Sequence, residues 1–441
     1  MSYLKSLKFT VFSFCCIAII LIWISANLNW GDGRWNNIIK NDGNGYYAYL
    51  PAIFIYHDLT FNFIDNIVND SLNSNINKEF VTNENGVVFN KYYAGTSVAL
   101  LPFFALGHIT NWIYGLPLDG YAVYYRIFIQ VAALFYLLFG LILFAKILGF
   151  YGIKDLIIAI SMTAIVFGTN IFYYVVSEPS MSHIYSFAFV NLFVYSFINY
   201  FKSLHLRFFI IGIVALGMVT LIRPINILIF FSLPFLAGSY VALSSGLKCL
   251  TNKWKVSIAG VILFIMIISV QLILYKIETG SLILYSYANE GFNFLNPNMV
   301  KFMFSYRKGL FLYTPILFFS LFGMAYFIKD KFKFLSLILF LFLVIYILSS
   351  WWMWYYGGSF SQRVMIEYYI YFFIPFSMLL QKITFPKMVI LMVIFLIIVC
   401  QIQTYQYQRG YIHWSEMNKE KYWDNFLRID KVLKSTDKDW E

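Results

Sequence analysis

The fold class predicted for this sequence is an all-α polytopic membrane protein, and three observations predict it. Hydrophobic residues make up 61% of the 441 residues and charged residues only 12%, against about 45–50% and about 25% in a soluble globular chain. The apolar residues fall into runs long enough to cross a hydrocarbon core, which takes about 20 residues. Lysine and arginine collect in short loops after alternate runs, as the positive-inside rule requires. The net charge of +11 is therefore accounted for by membrane orientation and implies no nucleic-acid partner. The four cysteines, Cys15, Cys16, Cys249 and Cys400, have neither metal-ligand nor disulfide spacing.

Lys5 and Lys8 precede an apolar run, Phe9–Leu28. It is too long for a signal-peptide core, so residues 1–29 read as an uncleaved first transmembrane helix with its N-terminus inside. Residues 30–120 then form an outer loop. Within it, Asn83-Glu84-Asn85-Gly86 reads as a turn before the extended run Val87-Val88-Phe89. The stretch Tyr92–Tyr114 is long enough to span but contains Pro102, His108 and Asn111. Loop charge decides its placement. If it lies in the outer interface, Lys146 and Lys154, Lys202 and Arg207, Lys248, Lys253 and Lys255, Lys329, Lys331 and Lys333, and Lys382 and Lys387 all fall inside.

Ten later helices follow in that register: Ala122–Leu148, Leu156–Val176, Ile184–Phe201, Phe208–Ile222, Ile225–Leu243, Val256–Ile277, Leu310–Ile328, Phe334–Leu348, Val364–Leu380 and Met388–Tyr405. The expectation is a bundle of about 11 transmembrane helices, with residues 121–405 as its body and residues 406–441 as an outer C-terminal cap. No nucleotide-binding glycine motif occurs, and no interrupted pair of segments stands out.

The organising stretch is Asn41–Tyr49, NDGNGYYAY, in the first outer loop. Gly43 and Gly45 predict a loose turn that presents Asp42, beside tyrosines lying along the membrane surface. A solvated surface turn is the plain alternative. With the same register, the scarce ionisable residues at helix ends fall on the outer side: Asp42, Lys91, Arg126, Glu178, His183, Arg223, Glu278, Arg307, Lys308, Arg363 and Glu367. Such groups cost about 2.5–3.5 kcal/mol each at membrane depth, so they face a cavity or a partner. Each has a simpler reading. Glu178 also suits a helix start, and Arg126 and Arg223 also suit snorkelling. Trp351–Tyr356 also suits an interfacial aromatic belt, but Gly357-Gly358 and Arg363 beyond it fit close approach to phosphate oxygens. Arg307-Lys308 sits at a helix start, where the dipole disfavours cations and an anionic ligand favours them. Asp42-Gly43-Asn44-Gly45 fails as an EF-hand loop, because Tyr46 and Ile53 occupy ligand positions. The five histidines lack zinc spacing.

Several motifs occur in a telling order. Asp42-Gly43-Asn44-Gly45-Tyr46-Tyr47 follows the first helix, and Leu50-Pro51 comes next. Then come Asn90-Lys91-Tyr92-Tyr93-Ala94-Gly95, Leu100-Leu101-Pro102-Phe103-Phe104 and Leu106-Gly107. Arg126, Ser177-Glu178-Pro179, Arg223-Pro224 and Gly358 to Arg363 complete the series. This series resembles the integral-membrane GT-C glycosyltransferases, in particular the protein mannosyltransferase and lipid A aminoarabinose transferase branch. The resemblance implies a GT-C-like bundle with interfacial helices in its first outer loop. It also implies a polyprenyl-phosphate sugar donor, a lipid, glycan or protein acceptor, and a bacterial inner-membrane location with the active site facing the periplasm. A single carboxylate, Asp42, stands where the family has an acidic pair, and Lys91-Tyr92-Tyr93 stands where it has Lys-Pro-Pro. Metal use and the sugar therefore stay open, with Asp42, Glu178 and His183 as metal candidates.

The chemistry expected is inverting transfer of the sugar to an acceptor hydroxyl. Asp42 is the expected general base, and Glu178, with His183, would complete the catalytic pair by positioning the acceptor or a divalent cation. Arg363, Arg307, Lys308 and Lys91 would hold the donor phosphate. Tyr46, Tyr47, Tyr92, His183, Arg126 and Arg223 would contact substrate. A transporter or flippase of a lipid-linked glycan is the alternative, and a non-catalytic assembly subunit a further one.

Overall fold

The structure, a computed structural model, describes residues 7–68, 73–84, 86–287, 290–383 and 386–430. It is 72% helical. Its described residues include eight helices long and apolar enough to cross a membrane, as expected of an integral membrane protein. They divide into two compact units, called here the loop unit and the terminal unit.

The loop unit comprises Ala18–Leu143 and Tyr174–Asn289. The first helix, α1 (Lys8–Asn29), ends in it. Three short elements follow: α2 (Gly43–Pro51), a π-helical turn (Ala52–Tyr56) and α3 (Phe63–Val68). The extended run expected at Val87-Val88-Phe89 is β2 (Val87–Asn90), antiparallel to β1 (Val81–Glu84) with Val81 opposite Asn90. Asn83 and Glu84, expected in a turn, belong to β1, and Asn85 lies outside the described residues. Past this hairpin come α4 (Gly95–Ile113) and α5 (Val123–Phe150). In chain order the terminal unit then contributes α6 (Asp155–Phe167) and the start of α7 (Ile171–Val176).

The chain returns to the loop unit through α8 (His183–Ser203), α9 (Leu206–Ile222), α10 (Leu233–Ala237), α11 (Tyr240–Asn252) and α12 (Trp254–Thr279). Small residues let these helices pack closely. A Cβ on Gly212 of α9 would lie 2.6 Å from the Phe197 ring of α8, and one on Gly260 of α12 would lie 2.8 Å from Phe209. The outer face of α12 leaves Val261, Ile265 and Met266 more than half exposed, a surface suited to lipid tails.

The terminal unit comprises Met1–Ile17, Phe144–Tyr173 and Glu290–Glu441. The Asp155 carboxylate caps the start of α1, accepting from the Phe9 and Thr10 amides at 2.9 Å each. Later come α13 (Met299–Phe304), α14 (Leu310–Tyr313), α15 (Phe318–Met324) and α16 (Lys331–Ser349). They are followed by α17 (Tyr369–Lys382), α18 (Pro386–Gln408) and α19 (Lys419–Asn425). Over its described part the tail packs on its own unit: Tyr422 of α19 is buried and meets the ring of Tyr313 at 5.7 Å.

Three expected continuous helices are interrupted. Leu156–Val176 breaks at Gly168–Asn170 into α6 and α7, and polar side chains replace the lost backbone bonds. Thr169 Oγ1 donates to the Ile165 carbonyl at 2.6 Å, and Asn170 Nδ2 to that of Phe360 at 3.0 Å. Ile225–Leu243 is a 3₁₀ run (Pro224–Ser232) and α10, turned by 119° into α11 at Gly238, whose φ is +75°. Leu310–Ile328 breaks at Thr314-Pro315, because proline has no N–H to continue α14. Interrupted segments, no pair of which stood out in the sequence, are therefore present. Tyr92–Tyr114 forms α4, which is itself one of the eight long apolar helices.

Candidate functional site

The loop unit gathers five of the ionic residues, Asp42, Lys91, Glu178, His183 and Arg223, into one partly buried cluster, and exposed Asn41 starts it. Asn41 has φ +51°, a left-handed conformation that asparagine tolerates better than most residues. This reversal turns the carbonyls of Lys40, Asn41 and Asp42 towards the first amides of α2. Asp42 is thus the residue capping a helix, not the tip of a loose turn as the sequence led us to expect. Gly43 and Gly45 lie inside α2, all nine residues of which are buried. They are needed for close contact instead. A Cβ on Gly43 would lie 1.9 Å from Ser180 Oγ, and one on Gly45 would lie 2.3 Å from the Tyr92 ring. The tyrosines of α2 are likewise enclosed by protein, where a membrane-surface position was expected.

The segment pressed against Gly43 is the Ser177–Ser182 link between α7 and α8. Glu178 is 3% exposed, and its Oε1 accepts a hydrogen bond from Asn41 Nδ2 at 3.1 Å. Ser180 and Ser182 are fully buried, and their hydroxyls have no hydrogen-bond partner among the described residues. Buried polar atoms left in this way are uncommon in folded proteins and point to water or ligand. His183, at the start of α8, is also fully buried. Its ring meets Tyr174 edge to face, with centroids 5.4 Å apart. Arg223 Nη1 lies 3.3 and 3.4 Å from the two ring nitrogens. A guanidinium only donates, so the imidazole is the acceptor in that contact.

The third part is the arm that leaves the hairpin. Asn90 Nδ2 donates to the Gly45 carbonyl at 2.9 Å, and Asn90 Oδ1 accepts from the Tyr92 amide at 2.9 Å. Ser286 Oγ donates to the Lys91 carbonyl at 2.8 Å. The Lys91 ammonium sits 5.5 Å from the Tyr92 ring centroid and 5.7 Å from that of Tyr287, within cation–π range. Tyr46 and Tyr92 are 4.6 Å apart. Arg223 follows the end of α9, and there a Cβ on Gly95 would lie 2.3 Å from the Ile222 amide nitrogen. The Tyr287 phenol is pushed well above its ordinary pKa by burial, then by Tyr46, with Arg223 pulling it down and the negative charge of Asp42 pushing it up. Asp42 and Arg223 therefore act on the same hydroxyl.

The structure brings Asp42, Glu178, His183, Arg223, Lys91, Tyr46 and Tyr92 into this one neighbourhood. It gives Arg126 and Tyr47 other tasks. Arg126 is fully buried. Its Nε donates to the Tyr121 carbonyl at 2.6 Å, Nη1 to Asn36 Oδ1 at 3.1 Å and Nη2 to Asn73 Oδ1. Trp35 lies against it at 5.1 Å. It is a clamp on the first loop, neither a snorkelling cation nor a free substrate contact. Tyr47 donates its hydroxyl to the Gly120 carbonyl.

The other three expected phosphate ligands belong to the terminal unit. Lys308 is 2% exposed, and its Nζ donates to the Gly357 carbonyl at 2.7 Å and contacts Ser359 Oγ at 3.1 Å. Arg307 stacks on Tyr355 at 4.3 Å. Arg363 opens the 3₁₀ turn Arg363–Tyr368, which also holds the fully buried Glu367. The turn of chain before it, with Tyr356, Gly357 and Ser361 all at positive φ, is a formed loop more than an aromatic belt.

Sequence reasoning missed Asn41, Ser180, Ser182 and Tyr287. The first three lie within or beside quoted motifs, but their roles depend on contact between segments more than 130 residues apart. Tyr287 has no local signal at all. Among the described residues no three His, Cys, Asp or Glu side chains are arranged to hold an ion. Asn41 occupies one oxygen of Glu178, and a guanidinium faces His183, which would repel a cation there. No family model, curated protein or solved structure matches this chain, so its functional reading rests on this cluster.

Proposed function

We propose that the chain is a GT-C-like glycosyltransferase that moves a sugar from a polyprenyl-phosphate donor to an acceptor hydroxyl at the outer membrane face. One observation carries the reading: half-buried Asp42, Lys91 and Arg223 share a neighbourhood with buried Glu178 and His183 in an otherwise apolar molecule. Carboxylates beside fixed cations suit a reaction in which a hydroxyl loses a proton while a phosphate departs. Asp42 takes the acceptor proton. The acceptor oxygen then bonds to the anomeric carbon as the carbon–oxygen bond to phosphate breaks, inverting that centre. Lys91 and Arg223 balance the charge that develops on the phosphate, and Glu178 positions Asn41 and the Asp42 turn. Arg307 and Arg363, in the terminal unit, are further cations for lipid phosphate, with Lys308 buried as a tie to Gly357 and Ser359 rather than a phosphate contact.

In topology, seven of the eight long helices, the bent pair and the three shorter apolar helices make eleven spans. In this reading α4 lies in the interface, and the cluster faces the periplasm of a bacterial inner membrane. The acceptor, whether lipid, glycan or protein, is left open by the cluster.

The interrupted segments favour a second reading, because transporters of membrane-embedded substrates use broken helices at their binding sites. Reconstitution with a radiolabelled polyprenyl-phosphate sugar separates the two. Covalent transfer that falls by about 10²–10⁴-fold in Asp42→Asn, with membrane insertion unchanged, supports the transferase. Movement of intact lipid without transfer supports the flippase. Full activity of Asp42→Asn removes Asp42 from the role of base.

A further inference from the structure

The far end of the loop unit carries charge of one sign. Helix α8 starts at His183 in the cluster and runs to Ser203, about 30 Å at about 1.5 Å per residue. Around that end stand Lys202, Arg207, Lys248, Lys253 and Lys255, all exposed. No Asp or Glu occurs between Glu178 and Glu278, so no carboxylate on this stretch of chain balances them. Helix α11 holds the set in place. The Tyr200 hydroxyl donates to the Gly246 carbonyl at 2.7 Å, and Ser257 Oγ to the Leu250 carbonyl at 2.8 Å. A Cβ on Gly246 would lie 2.7 Å from the Phe201 ring. Helices α8 and α12 are both long and apolar enough to cross a membrane, so α11 is tied to the end of one and leads into the start of the other. It is turned by 119° from the segment before it and does not prolong it. Tyr240 and Leu247, seven residues apart, share one edge of α11, and both are more than half exposed. Ser244, Lys248 and Asn252, at spacings of four, form the polar edge beside it. Trp254 follows, more than half exposed, with the Lys255 ammonium 5.9 Å from its ring centroid.

We propose that α11, with the starts of α9 and α12, is a docking surface for the anionic phospholipid headgroups of the leaflet at that end. Membrane orientation alone asks for cations here. It does not ask for an exposed apolar edge beside them on a turned helix, which is the pattern of an amphipathic helix lying in the interface. A soluble polyanion would meet the lysines and leave Tyr240, Leu247 and Trp254 in water. A zwitterionic lipid would cover those side chains and leave the lysines without a balancing charge. An anionic phospholipid does both, because its phosphate accepts from the ammonium groups while its acyl chains cover the apolar edge. Tyrosine and tryptophan are the aromatic residues that favour this depth. Each cation near an anionic leaflet favours the charged lipid by about fivefold. The surface lies at the opposite end of α8 from the cluster and is independent of the transferase reading.

The test is photo-crosslinking of the full chain in phosphatidylcholine nanodiscs. The probes are phosphatidylglycerol and phosphatidylcholine that carry the same diazirine in an acyl chain, and the labelled peptides are read by mass spectrometry. The phosphatidylglycerol probe should label residues 240–258 in preference to the phosphatidylcholine probe. Lys248→Gln, Lys253→Gln and Lys255→Gln should each lower that preference about fivefold, and the triple glutamine variant should abolish it. The triple arginine variant should keep it. If the triple glutamine variant melts early, the three single variants carry the comparison. Equal labelling by the two probes, phosphatidylglycerol labelling that avoids this segment, or an unchanged preference in the folded glutamine variants would overturn the surface. So would displacement of the phosphatidylglycerol probe by added transfer RNA or inorganic phosphate, which would mark a site for soluble anions.

Discussion

The side-chain amide of Asn41 donates to a carboxylate oxygen of Glu178 at 3.1 Å, joining two segments that are 137 residues apart. Asn41 does this from a left-handed backbone, so it serves two purposes that substitution can separate. Asn41→Gly keeps the conformation and loses the bond, whereas Asn41→Ala loses both. A hydrogen bond to a charged group is worth about 1.5–3 kcal/mol, and the left-handed region costs an alanine about 1–2 kcal/mol more. Thermal unfolding in detergent should rank wild type above Asn41→Gly and Asn41→Gly above Asn41→Ala. Equal melting of the two variants would show that the conformation at this position is unimportant.

Gly43 and Ser180 should behave as a coupled pair. An added methyl on Gly43 meets both Oγ and Cβ of Ser180, at 1.9 and 2.7 Å. Gly43→Ala alone should therefore destabilise by about 1–3 kcal/mol, the usual cost of overpacking. Ser180→Gly removes both offending atoms, so the double variant should recover most of that loss. A double-mutant cycle on melting measures it, and additive losses would refute the contact.

Arg126→Lys keeps the charge and loses the fork. A lysine ammonium cannot reach the Tyr121 carbonyl, Asn36 and Asn73 in the planar pattern that the guanidinium supplies. With each lost bond worth about 1 kcal/mol, the first loop should loosen. Limited proteolysis should cut faster around residues 73–84 in Arg126→Lys, while the C-terminal tail stays as resistant as in wild type.

Asp58 should make the same loop acid-sensitive. Burial raises its pKa, but bonds from the Thr60 hydroxyl and from the Thr60, Phe63 and Asn62 amides outweigh this and hold it below the usual carboxylate value. A depressed folded pKa adds stability above the unfolded value, near about 3.9, and that stability is lost as pH falls through the folded value. Hydrogen exchange of residues 59–63 should accelerate below about pH 4, and Asp58→Asn should remove the step.

What was legible in the sequence follows from what is local. The first helix is a continuous apolar run, and Val87-Val88-Phe89 is an extended run of β-branched and aromatic residues. Both are present. The helix breaks were not legible, because hydropathy averages across Gly168–Asn170 while the bond that stabilises the break comes from Phe360, 190 residues away. Gly43 and Gly45 were misread for a related reason. A glycine is permitted both at a turn and under a crossing chain, and only the crossing chain distinguishes the two. Asp42 and Glu178 were found as residues, but the asparagine that links them was not.

The near-contact of Gly95 with the backbone of Ile222 leaves no slack between the end of α9 and the start of α4. The two cations that flank this joint, Arg223 on one side and Lys91 on the other, are therefore mounted on a common mechanical frame. Whatever draws one inward must carry the other with it, so a ligand engaging this region should be felt as a single concerted event instead of two successive ones.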